Sequence, residues 1–99
     1  MKTRKAKSGT MVEYRAAYYR DEASGWYCVQ LLDFPAVISQ GRTINSARRM
    51  MRDALRGMVH WYINDGDPLP RPNPRAHDRK AELVEPVQMQ IRVLTGGRA

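Results

Sequence analysis

The sequence predicts an α+β fold, a small βββαβ domain whose antiparallel sheet carries one long helix on one face. Three observations predict it. Strand-like segments separated by turn residues fill positions 11–40, and one long segment of helical periodicity follows over about 44–64. A last segment, 87–93, alternates apolar and polar residues as a half-buried strand does. The 99 residues suit one domain with one modest core.

The first two strands form a predicted hairpin. Residues 11–20 contain Val12 and three tyrosines, and the loop that follows ends in Gly25, which tolerates the positive φ of such loops. Residues 26–32 then read as the second strand. We expect the core to take its face with Tyr27, Val29 and Leu31 rather than the face with Trp26, Cys28 and Gln30.

A corner and a short third strand lead to the helix. We expect Asp33 to cap the corner and Pro35 to end the strand pairing, because proline has no N–H to donate. Residues 36–40 read as the third strand, and Gly41 as the turn into the helix.

The helix is amphipathic and has clear ends. Thr43 is the predicted N-cap, Gly66 the left-handed C-terminal residue, and Pro68 prevents continuation. One broad apolar stripe is predicted to lie on the sheet: Ala47, Met50, Met51, Ala54, Leu55, Met58, Trp61 and Tyr62. The opposite side carries Arg49, Arg52, Asp53, Arg56 and His60.

The predicted organisation is a disordered basic tail over 1–10, a single domain over 11–94 and a disordered tail over 95–99. The basic N-terminus is not followed by an apolar segment, so it does not resemble a secretory signal. No apolar run approaches the length of a membrane helix. Cys28 has no partner for a disulfide, which favours a cytoplasmic location.

Residues that could carry catalysis do not form a recognisable set. The serines lie in no nucleophile motif, and neither His60 nor His77 has a metal ligand at a suitable spacing. Carboxylates such as Asp53 and Glu85 are scattered, and Asp53 stands among arginines that it can pair with. We therefore expect no enzymatic activity, no metal and no cofactor.

An arginine stripe on the helix is the main alternative signal. Arg49, Arg52 and Arg56 share one face, with Arg48 at its edge, and could contact the phosphates of a nucleic acid. A solvated outer face explains the same arginines. The alternative function is therefore a small basic nucleic-acid-binding protein.

The order of several motifs resembles the HicB-type antitoxins of bacterial toxin–antitoxin systems. The segments that carry the resemblance cover about 60 residues: Asp21–Tyr27, Asp33-Phe34-Pro35, Gln40-Gly41-Arg42-Thr43, the helix with Ala47 and Ala54, and Asp65–Pro70. The resemblance implies a partial RNase-H-like fold without nuclease activity. It also implies a cytoplasmic, self-associating antitoxin that neutralises a small HicA-type RNA-cleaving toxin.

The sequence departs from this family in three places. Ala36 stands where a glycine is usual, and the helix starts without acidic residues. Many members also carry a C-terminal DNA-binding module that is lacking here, so we do not expect operator binding by this chain alone.

The expected partner surface is the sheet face that one helix cannot cover, together with the adjoining corner. Aromatic residues are good interface anchors, and the candidates there are Trp26, Phe34, Tyr18 and Tyr19. A homodimer or higher oligomer formed through the sheet would also use them. The expected partners are thus a HicA-type toxin and further copies of the chain, with nucleic acid secondary and no membrane.

Overall fold

Four strands and one helix make up the computed structural model, which describes residues 9–92. The elements are β1 (Gly9–Arg20), β2 (Tyr27–Leu31), β3 (Phe34–Gly41), α1 (Ile44–Asp65) and β4 (Leu83–Arg92). The strands lie in the spatial order β3-β2-β1-β4, and every neighbouring pair is antiparallel. The predicted α+β class and the βββαβ order are confirmed.

The predicted tails lie mostly outside the described residues. Of the N-terminal tail expected over 1–10, only Gly9 and Thr10 are described, and they begin β1 opposite Arg92 and Ile91 of β4. The tail expected over 95–99 lies wholly outside the described part of the chain. β1 is therefore longer than predicted at its start, because β4 supplies a pairing partner there.

The core lies between α1 and one face of the sheet. Tyr14, Ala16 and Tyr18 of β1 point to this face and are fully buried. Val29 and Leu31 of β2 lie beside them, as the register of the pair requires. The predicted core face of β2 is therefore confirmed, and alternation of side chains along each strand explains it.

Both predicted ends of α1 are confirmed. Thr43 has extended backbone angles, φ −126° and ψ 165°, and its hydroxyl accepts a hydrogen bond from the Ser46 N–H. The Ser46 hydroxyl in turn accepts from the Thr43 N–H at 3.0 Å, which completes a capping box. At the other end Gly66 adopts a left-handed conformation with φ 74°.

The rotation of α1 about its axis differs from the prediction. Its fully buried residues lie one turn apart in a single row: Ala47, Met51, Leu55 and Val59. Met50 and Trp61, which we expected in the packed stripe, are 51% and 65% exposed. That part of the prediction is wrong. The 22-residue helix carries apolar residues on two flanks, and only its contact with the sheet decides which flank is buried.

Pro35 lies inside β3 and does not end it. Phe34 pairs with Leu31 of β2, and the register shifts at Gln30 and Leu31. Since β3 is an edge strand, one side of its backbone needs no partner, and an edge is where a sheet accepts proline. The side-chain amide of Gln30 donates to the Pro35 carbonyl at 3.0 Å, which holds the corner.

The connector between α1 and β4 starts on the helix side of the sheet. The Tyr14 hydroxyl donates to the carbonyl of Pro70 at 2.9 Å. Asp33 then accepts two backbone hydrogen bonds, from Arg15 and from Asn73, each at 2.8 Å. Asp33 thus caps the corner as predicted, and it also attaches the connector to that corner.

The same connector continues onto the opposite face of the sheet. Arg15 and Tyr19 point to that face, and they donate to the Ala76 carbonyl at 3.3 Å and to the Asp78 carboxylate at 2.7 Å. Ala17, between them, is fully buried. The expectation that this face is uncovered is therefore wrong around Arg15, Ala17 and Tyr19 of β1, because the irregular segment packs there.

Candidate partner-binding surfaces

Trp26 is the predicted partner residue that the structure places at the surface. Trp26 is 36% exposed, and the guanidinium carbon of Arg42 lies 5.5 Å from the centroid of its ring. A cation over an indole face is attractive and holds both side chains in place. Beside them lies an open concavity with Asp21, Ser24, Tyr27, Cys28 and Gln40 on its walls. Trp26, Arg42 and this concavity are called the hairpin corner below.

Tyr18 and Phe34 are not on the exposed face where we predicted them. Both have no exposed surface. Phe34 packs between two other aromatic rings, with centroids 5.3 Å from Tyr14 and 5.2 Å from Tyr62. Side chains alternate between the two faces of the sheet along β1, so Tyr18 points to the same face as Tyr14 and Ala16, beneath α1. Neither side chain is available at the surface of this chain.

Tyr19 lies on the opposite face and is partly buried under the connector. Burial and the hydrogen bond to Asp78 raise the pKa of its hydroxyl to about 12. The same bond lowers the pKa of the Asp78 carboxyl. The hydroxyl of Tyr19 is therefore committed to holding the connector, while the ring contributes to the surface.

An ion pair between Arg48 and Glu85 lies at the junction of α1, β1 and β4. Arg48 donates from Nε and from a terminal nitrogen to the two oxygens of Glu85, at 2.8 and 2.9 Å. The buried Tyr18 hydroxyl donates to Glu85 as well, at 2.8 Å. The hydrogen bonds from Arg48 lower the pKa of Glu85, and burial raises the pKa of Tyr18.

The predicted arginine stripe is divided by these contacts. Arg48 is held by Glu85, and Arg56 donates to the carboxylate of Asp53 at 2.6 Å. Arg49 and Arg52 are exposed and make no ion pair within residues 9–92. The stripe therefore presents two free guanidinium groups in the part of the chain that the structure describes, rather than four.

Sequence reasoning missed a shallow cleft between α1 and β4. It is open to solvent, with a volume of about 480 Å³. Its walls include Arg56, His60 and Ile63 of α1, and Met89 and Ile91 of β4. Only the position of β4 beside β1 creates this cleft, so no local sequence signal could have located it.

Within residues 9–92 there is no group of three or more His, Cys, Asp and Glu side chains that could hold a metal ion. No helix in that part of the chain is long and apolar enough to cross a membrane.

Comparison with known proteins identifies the family. The model of a family described as the HicB_like antitoxin of bacterial toxin–antitoxin systems matches residues 13–94. The chain belongs to the HicB-like antitoxin family. The match begins within β1 and ends two residues past β4, so it includes the hairpin corner, α1 and the connector.

Relatives and a solved structure agree with this assignment to the HicB-like family. Over 71 residues the chain is 32% identical to proteins named Antitoxin HicB from Escherichia coli strain K12 and from Escherichia coli O157:H7. The alignment covers 71% of this chain and 51% of each relative, so the chain spans about half their length.

The fold is also similar to the crystal structure of the N-terminal domain of the Burkholderia pseudomallei antitoxin HicB. The TM-score is 0.59 at 26% identity, and the match covers 83% of this chain and 98% of that domain. The predicted resemblance to HicB-type antitoxins is confirmed.

Proposed function

We propose that this chain is a non-catalytic antitoxin that binds and neutralises a small HicA-type RNA-cleaving toxin in the bacterial cytoplasm. The observation that carries the proposal is the family match over residues 13–94, which takes in nearly all of the described fold. An antitoxin of this kind acts by covering its partner, so it requires a surface and no reactive group. The described residues supply several exposed apolar side chains and no cluster of metal ligands.

The proposed contact for the toxin is the hairpin corner. Trp26 offers a partly exposed aromatic ring, and Arg42 beside it adds a charge that can bind a carboxylate. Tyr19 borders the same face from β1, opposite Cys28. Tyr18 and Phe34 are buried on the helix side of the sheet and form no part of this surface.

Co-expression with the toxin gene next to it in the genome tests the proposal. We expect the toxin to stop growth alone, to be harmless with the chain, and to co-purify with it. Trp26→Ala should weaken the purified complex at least about 30-fold, as loss of an interface hot spot does. Trp61→Ala is the matched control, because it removes another exposed tryptophan from a different surface. Isothermal titration calorimetry measures both.

Two outcomes would contradict the proposal. If the purified chain neither bound nor inhibited the neighbouring toxin, the antitoxin function would be wrong while the fold assignment stood. If the chain instead purified with nucleic acid, and Arg49→Ala with Arg52→Ala released it, the alternative function would replace the proposal. Binding of that kind should weaken steeply with salt, because phosphate contacts release counterions.

A further inference from the structure

The hydrogen bonds of β1 show which backbone groups of β4 point away from the sheet. Arg15 of β1 donates its N–H to Asp33 and accepts from the Leu32 N–H, so its backbone groups point toward β2. Tyr18 accepts from the Glu82 N–H on the other side. Because these groups alternate along an antiparallel strand, the even-numbered residues of β1 bond to β4. Through the register, the odd-numbered residues of β4 bond back to β1, and its even-numbered residues point outward.

This outer edge of β4 is blocked at one position and open beyond it. Pro86 occupies an outward position, where its missing N–H breaks no bond to β1 and prevents pairing with a further strand. Gln88 and Gln90 occupy the next two outward positions and keep their N–H groups. Since β4 is the last strand of the sheet, no described segment pairs with them. The edge from Gln88 to the end of β4 can therefore accept an added strand.

The cleft between α1 and β4 runs beside the open part of this edge. Because α1 packs most closely on β3 and β2, it leaves the helix side of β4 partly uncovered. Met89 and Ile91 of β4 line the cleft, and Ile63 of α1, 39% exposed, lines it from the other side. The inward side chains of an added strand would therefore enter an apolar cleft.

A cation stands where the open edge meets Pro86. Arg52 of α1 is exposed, and it lines one shallow recess with Pro86 and Gln88 and another with Val87 and Met89. It makes no ion pair within residues 9–92. A strand that pairs with Gln88 and stops at Pro86 ends beside this guanidinium. A carboxylate at that end would be attracted to Arg52, and a cation would be repelled.

We propose that the β4 edge binds an extended segment of a partner protein, which adds to the sheet as a further antiparallel strand. Its alternate apolar side chains occupy the cleft between α1 and β4, and an acidic residue near its C-terminal end pairs with Arg52. Antiparallel pairing matches the rest of the sheet and runs the segment toward Pro86. A peptide fits better than a nucleic acid, because the cleft is apolar and the edge offers backbone hydrogen bonds.

This site is separate from the hairpin corner. The hairpin corner lies where β1 ends, at the pair of Arg20 with Tyr27, whereas the open edge lies where β1 begins, opposite Gly9. β3 and β4 also form the two opposite edges of the sheet. The inference therefore goes beyond the proposed toxin contact, and the two can fail independently.

Fluorescence anisotropy with a synthetic peptide tests the site. The probe is a fluorescein-labelled, C-terminally amidated peptide with the sequence Gly-Gly-Val-Thr-Val-Thr-Glu. Antiparallel pairing places its two valines opposite Ile91 and Met89, and its glutamate opposite Val87, beside Arg52. We expect a Kd of about 10–100 µM, because the contact is small. A probe with lysine in place of glutamate should bind at least about five-fold more weakly.

Gln90→Pro tests the backbone pairing. It removes one outward N–H and leaves the bonds to β1 in place, as Pro86 already does at an equivalent position. We expect the circular dichroism spectrum of the parent and a probe affinity at least about ten-fold lower. Gln90→Ala is the matched control, because it removes the same side chain and keeps the N–H. It should bind the probe as the parent does.

Methylated probes test the same pairing on the parent chain, whether or not Gln90→Pro folds. The N–H of the first threonine faces Gln90, so N-methylation of that threonine should abolish binding. The N–H of the following valine faces away from β4, so N-methylation there should change the affinity little.

Arg52→Ala tests the charge. We expect it to weaken binding of the glutamate probe about five-fold and to leave the lysine probe no weaker than with the parent. Arg49→Ala is the matched control, since Arg49 is also exposed but lines neither recess at the edge. It should bind both probes as the parent does.

Several results would overturn the proposal. One is a probe that does not bind the parent at millimolar concentration, and another is equal binding of the two methylated probes. Dimers of the parent that disappear in Gln90→Pro would assign the edge to a second copy instead. Gln90→Pro should bind the toxin as the parent does, and loss of that binding would assign the edge to the toxin.

Discussion

Glu85 is the residue at which three elements meet. It stands on β4, accepts hydrogen bonds from Arg48 of α1, and accepts a third from Tyr18 of β1. In the sequence it is one of several scattered carboxylates. The structure assigns it to an ion pair, because Arg48 and Glu85 are 37 positions apart in the chain and only folding joins them.

Replacing Glu85 should destabilise the protein in a pH-dependent way. We expect Glu85→Gln to lower the free energy of unfolding at neutral pH by about 1–2 kcal/mol, since the pair is partly exposed. The folded-state pKa of Glu85 is lowered, so its contribution is present above the unfolded value of about 4.3 and is lost as pH falls below it. Urea denaturation at neutral and acidic pH measures this. Glu22→Gln, in the exposed hairpin loop, is the control and should change little.

A gap between parent and Glu85→Gln that stayed constant into strong acid would contradict this account. It would mean that the shape of the side chain, and not its charge, supports the junction of α1 with the sheet.

At the scale of elements, α1 is delimited at both ends by local chemistry and packed at its start by a close approach. Thr43 and Ser46 cap the first turn, and Gly66 ends the last. Gly41, the last residue of β3, is buried against that first turn, and a Cβ there would overlap the backbone nitrogen of Ala47. The absence of a side chain at Gly41 therefore lets the helix begin directly above the sheet.

Gly41→Ala should disturb this junction. Because backbone atoms and not a flexible side chain occupy the space, we expect the free energy of unfolding to fall by about 1–3 kcal/mol. Gly57→Ala is the matched control: its Cβ has open space, and helix propensity predicts a gain of about 0.5–1 kcal/mol. Thermal unfolding followed by circular dichroism compares the two. Equal stability of the two variants would show that the first turn can shift without cost.

At the scale of the whole molecule, the connector decides what each face of the sheet presents. It passes from Tyr14 on the helix side, past Asp33, to Tyr19 on the opposite side. In doing so it covers the part of β1 around Ala17 on the face that we expected to be open. Among the described residues, the exposed large apolar side chains are then Trp26 and Ile38 around β2 and β3, Met11 on β1, and three on α1: Met50, Trp61 and Ile63.

Releasing the connector from Asp33 should make it susceptible to proteolysis. Asp33→Ala removes the acceptor of two backbone hydrogen bonds, so we expect tryptic cleavage after Arg75 to become about ten-fold faster. Mass spectrometry of timed digests locates the sites. Asp67→Ala is the control, because its side chain is exposed on the same connector. An unchanged rate in Asp33→Ala would show that the other connector contacts suffice to hold it.

Sequence reasoning by itself determined the elements of this protein, their order and their family. The capping residues Thr43 and Gly66, the alternation in β2 and the motifs from Asp21 to Pro70 each depend on residues that are close along the chain. Such signals can be recognised in the sequence without knowledge of the fold. They were sufficient for the βββαβ order and for the resemblance to HicB-type antitoxins.

Only the tertiary structure decided which surfaces the protein presents. The direction in which α1 is rotated buries Val59 and exposes Met50 and Trp61, and the alternation of β1 buries Tyr18 beneath the helix. The path of the connector covers Ala17. Each outcome depends on contacts between segments far apart in sequence, whose free energies are comparable for the competing arrangements until the whole core is assembled. The candidate site is a surface, and it could therefore be located only in the folded chain.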